Sequence, residues 1–143
     1  YGLCFMFLCG CFPFLLPFEF QSVNEAPYID DAIPALSEEE PRTGTAIVTS
    51  LGLRMFVVIK DKNDLTQLGI SWRLQSENGS RGEIINSDVR ITDGTNQSIT
   101  SQLSLDLADL QPYDGGLLRI VIEDSYGETA TASWTLDVEE PIK

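Results

Sequence analysis

From Thr45 onward, apolar and polar residues alternate with a period of two rather than 3.6, which is the pattern of half-buried strands. Leu53, Met55, Val57 and Ile59 alternate with Arg54, Phe56, Val58 and Lys60. Ile70, Trp72 and Leu74 alternate with Ser71, Arg73 and Gln75, and Val89 and Ile91 flank Arg90. Leu103, Leu105 and Leu107 are spaced by Ser104 and Asp106, and Leu118, Ile120 and Ile122 by Arg119 and Val121. The last run places Ala130, Ala132, Trp134, Leu136 and Val138 on one side and Thr131, Ser133, Thr135 and Asp137 on the other. In each run the apolar set is expected to face a core and the other set water. Turn-forming clusters separate the runs: Asp61–Asp64, Asn78-Gly79, Asp93-Gly94, Asp114–Gly116 and Ser125–Gly127. Their Gly and Asn residues suit the positive φ of tight turns. About seven short strands over about a hundred residues, with a turn every 8–12, predict an all-β antiparallel β-sandwich.

The residues ahead of that pattern follow no such period. Tyr1–Phe18 carries no charge, and its length is close to the roughly 17–25 residues that span a bilayer as a helix. Pro13 and Pro17 interrupt it. Residues 21–45 contain Pro27, Pro34 and Pro41, six acids and one base. With no apolar periodicity, this stretch is expected to be an extended or disordered linker. The chain therefore divides into an apolar anchor (1–20), an acidic linker (21–45) and a sandwich domain (46–143).

Region 45–138 resembles the immunoglobulin-like domains of bacterial cell-surface proteins. Trp72, in Ile-Ser-Trp-Arg-Leu, stands where that family has a tryptophan on its third strand. Asp114-Gly115-Gly116-Leu117-Leu118-Arg119-Ile120 follows the family's Asp-x-Gly-x-Tyr-x-Cys, with Leu118 in place of the tyrosine and Ile120 in place of the cysteine. The resemblance implies that Val57 opposes Ile120 across the sandwich, an apolar contact replacing the inter-sheet disulfide. It also places Trp134 on the final strand, and period-two position puts its side chain in the core.

All three cysteines, Cys4, Cys9 and Cys11, lie in the apolar head. Leu8-Cys9-Gly10-Cys11 resembles the lipobox of bacterial lipoproteins, which implies that Cys11 carries a lipid. The opening Tyr1 in place of methionine suits a chain lacking its true start. A retained membrane or assembly segment and a cleaved signal are the other readings of the head.

Composition narrows the chemistry. The 143 residues include 22 acids, 9 bases and no histidine, for a net charge of −13. A nucleic-acid partner is excluded for want of a basic face. Without histidine, Ser-His-Asp and Cys-His mechanisms are excluded as well. No motif marks a catalytic carboxylate pair, and no enzyme activity is expected. Asp61, Asn63 and Asp64 fall on the loop after one strand, Asp93 on an intermediate turn and Asp124 on the last one. Such oxygen donors from several loops suit Ca²⁺, and Asp and Asn are also simply good turn residues. Asn78-Gly79-Ser80 and Asn96-Gln97-Ser98 match the N-glycosylation sequon.

These features predict a non-enzymatic immunoglobulin-like module, membrane-anchored on the extracytoplasmic side (periplasmic or cell surface). It would act through protein contacts as an accessory or scaffolding subunit of an envelope or membrane complex, with no cofactor beyond a lipid on Cys11. A pilin-like filament subunit and a calcium- or carbohydrate-binding adhesin domain are the alternatives.

Overall fold

The computed structural model describes residues 24–62, 65–95 and 97–140, and the apolar head with Cys11 lies outside them. The described residues form nine strands: β1 (Tyr28–Ile33), β2 (Thr43–Val48), β3 (Leu53–Lys60), β4 (Gly69–Gln75), β5 (Gly82–Ile85), β6 (Val89–Thr92), β7 (Ser98–Leu105), β8 (Leu117–Glu123) and β9 (Thr129–Val138). A short helix α1 (Leu107–Leu110) and a 3₁₀ turn (Gln111–Tyr113) connect β7 to β8.

The strands form two sheets, ordered β1-β3-β7-β6 and β2-β9-β8-β4-β5. The first sheet has the A-B-E-D order of an immunoglobulin sandwich. The second carries its C, F and G strands with one added at each edge, β5 beside C and β2 beside G. All neighbouring strands run antiparallel except β2, which lies parallel to β9.

The predicted alternation holds in the central strands. Leu53, Met55, Val57 and Ile59 of β3 face inward and are buried, as are Ile70, Trp72 and Leu74 of β4 and Leu118, Ile120 and Ile122 of β8. Val57 and Ile120, on opposite sheets, are both fully buried without a disulfide between them. Trp72 and Trp134 stack at 5.8 Å between ring centroids. Each buried indole N–H has a partner, as a buried tryptophan requires: Trp134 donates to the Pro34 carbonyl (3.0 Å) and Trp72 to Ser101 Oγ (2.9 Å).

The boundary between linker and domain differs from the sequence expectation. Residues 28–33, assigned above to a linker, are a full strand of the sandwich, and β2 begins at Thr43. The period-two search missed β1 for a physical reason. A bulge between Ile29 and Asp31 shifts its register against β3, so its two buried residues, Ile29 and Ala32, lie three apart. The intervening segment turns at the exposed Glu38–Glu40, where Ser37 N–H donates to the Thr43 carbonyl at 2.7 Å.

Strand β6 is turned over relative to the expected pattern. Arg90 pairs with the fully buried Ser101 of β7 and so shares its inward face, while Val89 and Ile91 are exposed. The inversion is held by hydrogen bonds. Arg90 Nε donates to Asp88 Oδ2 (3.1 Å) and Arg90 Nη2 to the Ile70 carbonyl of the opposite sheet (2.7 Å). Ser101 Oγ donates to the same Asp88 oxygen at 2.7 Å while accepting from Trp72. A chain of charged and polar groups thus closes the side of the sandwich between edge strands β5 and β6. A buried polar group is tolerable only when satisfied in this way.

The turn into β8 demands glycine. Gly115 has φ +71°, and a Cβ on Gly116 would overlap the Gln75 carbonyl and lie 2.8 Å from the Tyr113 carbonyl.

Candidate functional site

Register decides which loops share an end. Lys60 of β3 pairs with both Tyr28 of β1 and Ser98 of β7, and Gly69 of β4 pairs with Glu123 of β8. The loops 61–68, 93–97 and 124–128, together with residues 24–27, therefore gather at one end of the sandwich. Asp61, Asp93 and Asp124 lie on these loops, as expected for the calcium reading; Asn63 and Asp64 lie outside the described residues.

The carboxylates of Asp93 and Asp124 are occupied in building their own turns. Asp124 Oδ1 accepts the N–H groups of Tyr126 and Glu128, both at 2.9 Å, and its Oδ2 accepts Asn24 Nδ2 at 2.7 Å. Burial alone would push this carboxyl up. The donors from Asn24 and from the Glu128, Tyr126 and Gly127 backbone outweigh burial and hold it below the ordinary aspartate value. Asp93 is held low chiefly by the Gln97 N–H; burial opposes this, and Thr95 and Ser98 add to the lowering. Its Oδ1 accepts from Gln97 N at 2.8 Å and its Oδ2 from Thr95 Oγ1 at 2.9 Å.

Two lysines at this end also face acids: Lys60 lies 2.9 Å from Asp30 and Lys62 2.6 Å from Glu25. Among the described residues, no cluster of three potential ligands stands at metal-binding distance. What this end does chemically is fix turns: the acids accept backbone N–H groups where hairpins reverse. The sequon residue Asn78 is used similarly, its Oδ1 accepting from Ser80 N (3.0 Å) and Ser80 Oγ (2.6 Å) in the β4–β5 turn. Asn96 lies outside the described residues.

The arrangement that sequence reasoning missed is on the outer face of the five-stranded sheet. Arg73 of β4 and Arg119 of β8 are exposed and stand directly opposite each other. Beside them lie Ile84 of β5 and Ser133 of β9. Arg73, Gln75, Gly82, Ile84, Leu117 and Arg119 line a hollow of about 290 Å³. The sequence signal was the alternation itself, which marked Arg73 and Arg119 as outward. What it lacked was the β4–β8 register that makes them neighbours. At the rim, Tyr113 is buried and donates its hydroxyl to Glu83 Oε2 at 3.1 Å, with Arg81 over its ring. Burial, then the Glu83 carboxylate, push the phenol up, with Arg81 opposing.

No protein-family model matches the chain, and no curated protein matches it. Among solved structures, it is similar to PcoC, a methionine-rich copper resistance protein from Escherichia coli, with 10% identity and a TM-score of 0.46 over 80% of this chain and all of that one. It is also similar to the N-terminal Ig1-2 module of the Drosophila receptor protein tyrosine phosphatase DLAR, with 16% identity and a TM-score of 0.45 over 83% of this chain and 52% of that one. The immunoglobulin-like assignment stands on the strand order and register described above.

Proposed function

We propose that the chain is a non-enzymatic immunoglobulin-like module, tethered to a membrane on its extracytoplasmic side and acting through protein contacts as an accessory or scaffolding subunit. The observation that carries this reading is the joining of an uncharged 18-residue apolar run, Tyr1–Phe18, to a β-sandwich that begins only ten residues later, at Tyr28. The short spacing holds the sandwich close to whatever surface the head occupies. Its interior is held by burial: residues such as Leu118 and Ile120 each contribute on the order of 1.5–3 kcal/mol, around the buried Trp72 and Trp134.

Contact rather than catalysis is supported by how the acids are used. The two loop aspartates held at low pKa accept turn N–H groups instead of standing free beside a cleft. Cys11 is the candidate lipid carrier, through the lipobox-like Leu8–Cys11. The structure favours neither the filament nor the calcium alternative.

Fractionation of the native source followed by mass spectrometry of the intact protein tests the tether. The expected result is membrane-associated protein that retains the apolar head or starts at a lipidated Cys11. A soluble, unlipidated protein beginning after residue 20 would overturn the reading.

A further inference from the structure

On the outer face of the five-stranded sheet, register defines three adjacent rows. The central row runs Ile84, Arg73, Arg119, Ser133 and Thr43. On one side lie Gly82, Gln75, Leu117, Thr135 and Thr45, and on the other Ser71, Val121 and Thr131. None of these positions is acidic, in a chain with 22 acids. Outward carboxylates stand one further row away on each side: Glu123 of β8, opposite Gly69, beyond Val121, and Asp137 of β9 beyond Thr135.

Like charges directly opposite on neighbouring strands are destabilising. Among the described residues neither arginine has a carboxylate at ion-pair distance to offset this, for the ion pairs present are Lys60–Asp30, Lys62–Glu25 and Arg90–Asp88. Glu83 reaches the same hollow, but its carboxylate accepts from Tyr113. The face therefore presents two adjacent guanidinium forks, each suited to bidentate capture of a carboxylate. Ile84, Leu117 and Val121 supply apolar contact around them.

We infer that this face docks an extended acidic peptide segment of a partner protein, with its carboxylates seated between Arg73 and Arg119. Charge complementarity selects the occupant. A net charge of −13 repels large polyanions and anionic bilayers at long range. A segment with one or two carboxylates needs only the short-range field of the arginine pair, since more distant charge is screened within about 8 Å at physiological salt. The inference rests on the contact-module reading above and gives it a surface and a ligand chemistry.

The test uses the full chain in detergent micelles, with NMR detection of the arginine Nε–H signals. The probe is a synthetic ten-residue Thr- and Ser-rich peptide with one Leu and two Glu two residues apart, compared with its Gln-for-Glu analogue and with inorganic phosphate. The expected result is saturable shifts at Arg73 and Arg119 with the Glu peptide and none with the Gln peptide. Arg73→Gln or Arg119→Gln weakens binding about tenfold or more, the scale of a lost charge-assisted pair, while both variants keep the wild-type backbone spectrum. Three results would overturn it: no saturable shift at millimolar peptide, shifts that persist in both variants, or equal shifts with phosphate. Peptide-dependent self-association on sedimentation would assign the face to a second copy and also overturn the partner assignment. Failed binding by a membrane-held protein removes this face alone, whereas binding by a protein recovered as soluble removes the tether alone.

Discussion

Asp88 carries more of the structure than its place between two short edge strands suggests. Its side chain is 3% exposed and holds Ser101 and Arg90 at once, and Ser101 in turn receives the Trp72 indole. Asp88→Ala leaves a buried hydroxyl without its acceptor and a half-exposed guanidinium without its counter-charge. The expected loss is about 1–3 kcal/mol in urea denaturation, with the greater share attributed to Ser101 because water screens Arg90. Asp93 and Asp124 make a different contribution, read through pH. Both are held below the ordinary aspartate value in the folded chain. Their stabilisation is therefore fully present above the unfolded value of about 4 and is lost as pH falls through the depressed folded values. Melting temperature should fall with pH below about 4, and Asp93→Asn with Asp124→Asn should flatten that fall while leaving neutral-pH spectra unchanged.

Among the elements, legibility followed regularity. Strands β3, β4, β8 and β9 announce themselves by strict alternation because one face of each is buried against the opposite sheet. β1 was hidden by its bulge, which spaces Ile29 and Ala32 by three. β6 was visible as a strand but read with the wrong face inward, because hydropathy cannot anticipate that Arg90 is satisfied by Asp88 and the Ile70 carbonyl. The acids proposed for calcium were legible as loop residues, whereas their capture by turn N–H groups depends on backbone geometry that residue types do not encode. The arginine pair needed a strand register. Two measurements follow for β6. Val89→Thr and Ile91→Thr should each change stability by no more than about 0.5 kcal/mol, as exposed substitutions do. Arg90→Leu should cost about 1–3 kcal/mol by stranding Asp88 and the Ile70 carbonyl. The reverse order would restore the inward-facing reading of Val89 and Ile91. For β4 and β8, Arg73→Gln alone should raise the unfolding free energy measured in urea slightly, by about a few tenths of a kcal/mol, because it relieves a cross-strand repulsion.

For the whole molecule, the folded unit begins earlier than its composition suggests. Removing residues 1–23 should leave a cooperatively folding chain. A chain beginning at Ala46 loses all of β1 and half of β2, and with them Ile29, Ala32 and the Pro34 carbonyl that receives Trp134. It should show no cooperative transition, since losses of several kcal/mol consume most of a domain's stability. The acidic surplus is likewise uneven: the middle rows of the outer face of the five-stranded sheet carry Arg73 and Arg119 and no acid, while Glu123 and Asp137 stand at its two ends and other acids gather in turns and the Glu38–Glu40 segment. A tethered module that works by contact should use that face. The most direct measurement is site-specific photocrosslinking in native membranes, with the probe at Thr135 on this face or at Ser104 on the outer face of the other sheet. The account predicts a discrete protein adduct from Thr135 that disappears in the Arg73→Gln, Arg119→Gln double variant. An adduct from Ser104 alone, or a Thr135 adduct indifferent to both arginines, would contradict it.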